Sequence, residues 1–177
     1  MQHILLPENS QEVIPLAQKA KNIGMDYLVI KPYSQHPLSR TVKYNTIKYS
    51  DYFHLSDKLN NLNDDKFSVI FRINTMKKWD ESNRNYRHCL ALPFWSYISA
   101  DGTVLGCSAY LTDERFRYGN IYENTFKEIW ESEKRLKSVR WAEAVLDTNQ
   151  CRVNCRMDEV NGYLWELKNP SDHVNFI

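Results

Sequence analysis

Four cysteines, all in the second half of this 177-residue chain, place the strongest constraint on what it can fold into. Seventeen residues lie between Cys89 and Cys107, whereas only three lie between Cys151 and Cys155. If the long interval folds back as a hairpin and the short one forms a turn or a helix, all four thiols can approach one point. Four thiolates satisfy either a 4Fe–4S cluster, with one thiolate for each iron, or a structural zinc ion.

Spacing alone leaves three interpretations of these cysteines open: a cluster, a zinc ion, and buried thiols without a ligand. Zinc ribbons and knuckles usually take their ligands in two pairs, each separated by two to four residues. Only the pair Cys151 and Cys155 fits that pattern. Cysteine is also commonly buried without any ligand role. The spacing therefore favours the cluster without identifying the metal.

Residues from Trp95 onward predict a β-hairpin and then a helix. The runs WSYISA and TVLGCSAY stand on either side of Asp101-Gly102, the strongest short-range signal for a tight primed turn. Further along, Asn124 or Thr125 can cap a helix that places apolar residues on one side as far as residue 144.

The beginning of the chain reads as strand, helix, strand. Residues 3–6 are apolar, Asn9 or Ser10 can cap the helix, and Gly24 suits its end. The apolar run within residues 25–31 is typical of a strand that is buried on both faces. The pattern predicts a strand-helix-strand unit of a parallel sheet.

The same region holds one irregular feature and one long polar segment. Pro15 removes a backbone donor one turn into the helix, so the helix is expected to kink or to start late. Residues 32–65 are polar and rich in turn formers, which predicts a connecting segment. Residues 67–73 predict another strand.

Composition and charge limit the classes of function. With 42% hydrophobic residues, the chain can bury a core as one domain or two small ones. Its 23 basic and 22 acidic residues nearly cancel, so no nucleic acid or membrane partner is expected. The N-terminus shows no export signal, which predicts a cytoplasmic protein. In that reducing compartment, a metal explains four thiols better than disulfides do.

From Cys89 onward the chain resembles the SPASM and twitch domains that follow the barrel in many radical S-adenosylmethionine proteins. ISADGTVLGC is similar to the cysteine-bearing hairpin of that family, with 12 residues between Cys89 and Gly102 and four between Gly102 and Cys107. FRYGNIYENTFKEIW, CRVNCRMDEVNGYL and the terminal HVNFI resemble later segments of such domains. A full SPASM domain has seven cysteines and two clusters. The resemblance therefore implies one auxiliary 4Fe–4S cluster on the four cysteines present: Cys89, Cys107, Cys151 and Cys155.

The opening sequence, HILLPENSQEVIPLAQKAKNIGMDYLVIKPYSQHP, resembles the last strand-helix-strand of the partial barrel that binds S-adenosylmethionine. The implied fold class is α/β, in two parts. Residues 1–75 would be a remnant of the partial parallel barrel with its connecting segment. Residues 76–177 would be a small α+β cluster-binding domain with a β-hairpin and helices.

The defining CxxxCxxC motif of radical S-adenosylmethionine proteins is missing from the sequence. In that family, the motif leaves one iron free to bind S-adenosylmethionine. We therefore expect no catalysis by this chain alone, and S-adenosylmethionine binding only if the missing N-terminal part is supplied. The expected partner is the missing barrel half or an electron donor protein. The chain would be a truncated product, an isolated domain or one half of a split protein. The alternative is a zinc-stabilised structural or interaction module without a redox role.

A cluster with four protein thiolates is suited to electron transfer or structural support, and hydrogen bonds to its sulfurs would tune its potential. The candidate donors are backbone amides around Gly106 and the side chains of His88, Arg152 and Arg156. Three further polar residues follow the second strand, at the end where open parallel sheets usually bind ligands: Lys31, Tyr33 and His36.

Overall fold

The structure is a computed structural model that describes residues 1–170 and residue 172. The HVNFI motif lies outside the described residues. Contacts divide the chain into two compact units, one of residues 1–35 with 39–83, the other of residues 36–38 with the described residues from Arg84 onward. The described part has six α-helices and two three-stranded sheets, which confirms a mixed α/β fold. The predicted domain boundary at residue 75 stays a prediction.

The first unit contains a parallel sheet with the strand order β1-β2-β3. Strand β1 is Gln2–Leu5, helix α1 is Val13–Asn22, strand β2 is Tyr27–Pro32 and strand β3 is Ser68–Phe71. β2 pairs in parallel with both neighbours, which confirms the predicted strand-helix-strand unit and the additional strand.

Only one face of this sheet is well covered. Leu5, Leu28 and Ile30 are fully buried on that face. The other face carries Ile4, Tyr27 and Ile70. Ile4 pairs with Lys31 and Ile70 pairs with Val29, and both β2 residues share the face of Tyr27, because side chains alternate along a strand. The side chains of Ile4, Tyr27 and Ile70 are more than one third exposed, whereas Val29, at the centre of the same face, is 7% exposed. Parallel sheets are normally covered on both faces, so this sheet has an open side.

Helix α1 starts later than a cap at Asn9 or Ser10 would allow, so that cap prediction is wrong. A 3₁₀ helix, Pro7–Glu12, precedes α1, and the Asn9 side chain accepts a hydrogen bond from the backbone N–H of Leu6 at 2.9 Å. The late start fits the expectation drawn from Pro15. Pro15 is the third residue of α1. The first four N–H groups of a helix have no acceptor within the helix, so the missing N–H of Pro15 costs no hydrogen bond.

Two helices in the first unit were not predicted. Residues 32–65 contain helix α2, Leu55–Asn60, and a 3₁₀ turn, Tyr49–Tyr52. Helix α3, Ile73–Glu81, follows β3 directly. The interpretation of residues 32–65 as a plain connecting segment is therefore wrong. Although this segment is mostly polar, a few of its side chains are buried, and Tyr49 is fully buried.

The second unit contains an antiparallel sheet with the order β4-β5-β6. Strand β4 is Tyr97–Ile98 and strand β5 is Thr103–Leu105, which confirms the hairpin. Strand β6, Arg117–Asn120, pairs with β5 and was not predicted.

The hairpin turn is not of the primed type that the sequence predicts. Gly102 has φ +79°, but Asp101 does not have a positive φ, and a type I′ turn needs both. The N–H of Gly102 donates to the carbonyl of Ser99 at 2.9 Å. This pattern is a longer loop that ends in a left-handed glycine. The Asp101 carboxylate accepts a hydrogen bond from the N–H of Thr103, which stabilises that loop.

Three helices complete the second unit. They are α4, Phe126–Glu131, α5, Glu133–Ala144, and α6, Asp158–Lys168. The predicted cap at Thr125 is confirmed, but the single helix as far as residue 144 is wrong, because Ser132 ends α4 and its side chain caps α5. Helix α6 was not predicted. Among the described residues, no helix is both long enough and apolar enough to cross a membrane.

Tyr49→Phe tests the polar anchor of the first unit. The Tyr49 hydroxyl donates to the carbonyl of Leu5 at 2.9 Å and accepts from the N–H of Tyr33 at 2.6 Å. Burial raises the pKa of Tyr49 to about 12, so the hydroxyl remains a donor at neutral pH. We expect the free energy of unfolding to fall by ~1–3 kcal/mol, because both backbone groups lose their partner. Urea unfolding followed by circular dichroism measures the change.

Tyr27→Phe is the matched control, because Tyr27 is 48% exposed. Its free energy of unfolding should change by less than about 0.5 kcal/mol. Equal unfolding midpoints for the two variants would contradict the anchoring role of Tyr49.

Candidate metal centre

The cysteines of the second unit surround one region. Cys89, Cys107 and Cys155 line the same cavity. Cys151 packs, together with Cys89 and Cys107, against a buried apolar cluster. The members of that cluster are Leu92, Phe116, Ala142 and Leu146. Cys107 reaches the cavity just beyond β5, and Cys155 lies in the turns that precede α6.

The acidities of the thiols reflect this proximity. Burial, with smaller contributions from the neighbouring sulfurs of Cys155, Cys151 and Cys89, raises the pKa of Cys107 to about 11. Burial is also the main cause that raises the pKa of Cys89 and of Cys151. In the structure as it stands, these three thiols therefore remain protonated at neutral pH.

A single metal ion and a cluster place different demands on the ligand atoms. Within the described part of the chain, no group of three His, Cys, Asp or Glu side chains is placed to hold one metal ion. A zinc site requires all its ligand atoms within about 2.0–2.3 Å of one centre. The thiolates of a 4Fe–4S cluster instead bind four different irons.

Each of the four sulfurs is in contact with an N–H or O–H group. The contacts are the Ala109 N–H with Cys107 Sγ at 3.4 Å, the Met157 N–H with Cys155 Sγ at 3.4 Å, the Tyr110 hydroxyl with Cys151 Sγ at 3.4 Å, and Asn161 Nδ2 with Cys89 Sγ at 3.8 Å. Hydrogen bonds of this kind stabilise negative charge on sulfur. The four environments therefore suit thiolates as well as thiols.

Arg84 holds the loop that carries Cys151. Its side chain is only 7% exposed, and its guanidinium donates to three backbone carbonyls of that loop. The acceptors are Thr148, Cys151 at 3.0 Å and Arg152 at 2.7 Å. Irregular backbone near a cavity needs such partners, because an unpaired buried carbonyl is costly.

Two predicted donors to the sulfurs have other partners. The N–H of Gly106 donates to the carbonyl of Phe116 at 2.8 Å, because this pairing continues the strand contact. Nδ1 of His88 lies 3.2 Å from the carbonyl of Leu146. The prediction is therefore wrong for the Gly106 amide itself and stays a prediction for His88, whereas the nearby Ala109 amide does contact a sulfur.

The other two predicted donors, Arg152 and Arg156, both line the cavity. Nη2 of Arg152 donates to the Ser108 hydroxyl at 2.9 Å. Arg152 Nε is buried without a hydrogen-bond partner, as are several polar atoms elsewhere in the described residues. An anionic group in the cavity would offer an acceptor to this donor, so the residues present fit a negatively charged cluster. The tuning role of both arginines stays a prediction.

The polar residues at or after the end of β2 have ordinary partners. Lys31 Nζ donates to Gln2 Oε1 at 2.6 Å, and the N–H of Tyr33 donates to Tyr49. A ring nitrogen of His36 lies 3.0 Å from the carbonyl of Ser108. A substrate role for Lys31, Tyr33 and His36 stays a prediction.

Sequence reasoning missed three residues that contact the cysteines or their loops: Arg84, Tyr110 and Asn161. Only Asn161 could have been noticed in the sequence, because it is a polar residue between the apolar residues Val160 and Leu164 of the segment that forms α6. Long-range contacts connect all three to the cysteine segments, and no local pattern encodes such contacts.

Residues 89–156 match the family model of SPASM, an iron-sulfur cluster-binding domain. The chain contains a SPASM-type domain. The matched range begins at Cys89 and includes the other three cysteines, which confirms the resemblance and indicates that this SPASM domain binds an iron-sulfur cluster. No curated protein and no solved structure matches the chain.

Arg84→Met tests the support of the Cys151 loop. We expect a loss of about 3 kcal/mol in the free energy of unfolding of the SPASM domain, because three carbonyls lose a charged donor in a buried place. Tryptophan fluorescence during urea unfolding reports on it, since four of the five tryptophans follow Arg84 in the chain.

The control is Arg87→Met, because the Arg87 side chain is exposed. It should unfold like the unmodified chain. If Arg84→Met did the same, the three hydrogen bonds would not support the loop.

Proposed function

We propose that Cys89, Cys107, Cys151 and Cys155 bind one 4Fe–4S cluster, as an auxiliary cluster of a radical S-adenosylmethionine enzyme. The main support is the SPASM match, which spans all four cysteines. The common cavity of Cys89, Cys107 and Cys155 supports the same ligand set. Four thiolates complete the coordination of four irons.

The polar groups around the sulfurs support an anionic ligand. The cluster would take the place of the thiol protons, since only thiolates bind iron. N–H and O–H contacts to each sulfur would then become stronger, charge-assisted hydrogen bonds. The buried guanidinium of Arg84 supplies positive charge to the Cys151 loop.

The proposed role is electron transfer or structural support. A cluster with four protein thiolates has no open coordination position, so it supplies an electron or a crosslink and does not bind substrate directly. The apolar cluster that includes Leu92 and Phe116 limits the access of water to one side of the cysteines. A common ligand would also tie together the span from Cys89 to Cys155, which restricts the unfolded chain.

We further propose that the first unit is a remnant of the partial barrel. Its three parallel strands, with α1 as the crossover from β1 to β2, support that proposal. The open sheet face with Ile4, Tyr27 and Ile70 favours a second half that covers it, because parallel sheets are usually buried on both faces.

Catalysis would depend on partners. None of the four cysteines forms a CxxxCxxC motif, so S-adenosylmethionine would bind only after a barrel half with that motif joins the chain. An electron donor protein is the second proposed partner. The reducing cytoplasm is the proposed location, because it keeps free thiols available for iron.

Anaerobic reconstitution with iron and sulfide tests the cluster. We expect a brown protein with about four irons and four acid-labile sulfides per chain, because four thiolates complete one 4Fe–4S cluster. Serine in place of any one of the four cysteines should cause partial or complete loss of iron. Iron and sulfide analysis with absorption spectroscopy measures both.

Ser108→Ala is the matched control, because Ser108 lines the cavity but offers no thiolate. It should retain the full iron content. A colourless protein that holds one zinc ion would refute the cluster and favour a zinc-stabilised interaction module.

Mixing experiments test the proposed barrel partner. We expect N-terminal barrel halves that carry CxxxCxxC to bind this chain and to cleave S-adenosylmethionine in its presence. Ile70→Glu should weaken the binding at least tenfold, because it places a charge on the open face of the sheet. Titration calorimetry and product analysis provide the two measurements.

Val42→Glu is the control for this charge, because Val42 is 67% exposed and lies outside the sheet. It should bind like the unmodified chain. If no barrel half binds, or if both glutamate variants bind normally, the open face is not where the missing half docks.

A further inference from the structure

Two of the four sulfurs are in contact with polar groups of side chains. Tyr110 contacts Cys151 Sγ at 3.4 Å, and Asn161 Nδ2 contacts Cys89 Sγ at 3.8 Å. The sulfurs of Cys107 and Cys155 are instead contacted by backbone amides. A backbone donor remains whatever its side chain is, whereas a side-chain donor can be removed by one substitution.

The orientation of the Asn161 amide follows from its other contacts. Its Oδ1 accepts hydrogen bonds from the N–H groups of Leu90 at 2.7 Å and Ala91 at 2.9 Å. The opposite end of the amide, the NH₂ group, therefore faces Cys89 and can only donate. Asn161 is 2% exposed, so water does not compete for this contact.

Aromatic packing holds the Tyr110 hydroxyl beside Cys151. The Tyr110 ring stacks on Phe116, with centroids 4.9 Å apart and an angle of 15° between the planes. Phe116 is fully buried and packs edge-on against Trp141. A thiolate has no proton to give, so the tyrosine must be the donor once Cys151 is a ligand.

We propose that Tyr110 and Asn161 raise the reduction potential of the SPASM cluster. The inference rests on the proposed function. Reduction adds negative charge, which spreads onto the sulfurs, so a donor at sulfur stabilises the reduced form more than the oxidised form. The backbone amides supply a contribution that persists in any variant, whereas the contributions of these two side chains can be removed by substitution. Both are positioning residues for electron transfer rather than ligands.

The test compares midpoint potentials of reconstituted full-length variants. Tyr110→Phe removes only the hydroxyl, and Asn161→Asp keeps the acceptor oxygen while it replaces the donor with an acceptor. Both should keep about four irons per chain and shift the midpoint potential to more negative values in a redox titration followed by electron paramagnetic resonance. Because the two donors contact different sulfurs, the double variant should show a shift close to the sum of the two.

Tyr163→Phe is the matched control, since Tyr163 is 65% exposed on the same helix as Asn161. Its potential should equal that of the unmodified chain. If Asn161→Asp fails to hold iron, Tyr110→Phe alone decides the outcome.

The outcomes separate the two proposals. Loaded variants with unchanged potentials would refute the tuning role and leave the cluster assignment intact. An unmodified chain that takes up neither iron nor sulfide would refute the proposed function and this inference with it.

Discussion

Irregular backbone around a buried cavity is stable only when its N–H and C=O groups have partners, and the SPASM domain depends on that requirement. Few of the residues that flank its cysteines lie in helices or strands that could pair their own backbone. Buried side chains from distant positions meet the need. Arg84 pairs the carbonyls around Cys151, and Asn161 pairs the amides that follow Cys89. The positions of two cysteines therefore depend on two polar residues that are not ligands.

The same polar groups would connect the structure to the redox chemistry of the proposed cluster. Donors that hold a loop close to sulfur also stabilise negative charge there, so Asn161 would couple stability to reduction potential. Tyr110 differs, because aromatic stacking rather than backbone pairing fixes its hydroxyl. In the proposed cluster, Asn161 would both support the loop and tune its sulfur, whereas Tyr110 would only tune its sulfur.

Local sequence signals predicted the elements whose apolar and capping residues form a pattern within a few positions. The strand-helix-strand unit and the cap at Thr125 each follow from patterns within a few residues. The hairpin was correct in place but not in turn type, because Asp101 uses its carboxylate, rather than a positive φ, to close the loop. Helix α2 was missed because its stability comes from packing in a polar segment whose few buried anchors form no clear period.

By itself, the sequence determined the number and spacing of the cysteines, the period of the main strands and the family of the C-terminal part, since all three are properties of residue order. Only the tertiary structure decided which polar groups contact each sulfur. It also decided that one face of the first sheet stays open and that the Gly106 amide pairs with a strand instead of a cysteine. The reason is physical: contacts between residues some 70 positions apart, such as Asn161 with Cys89, depend on how whole elements pack.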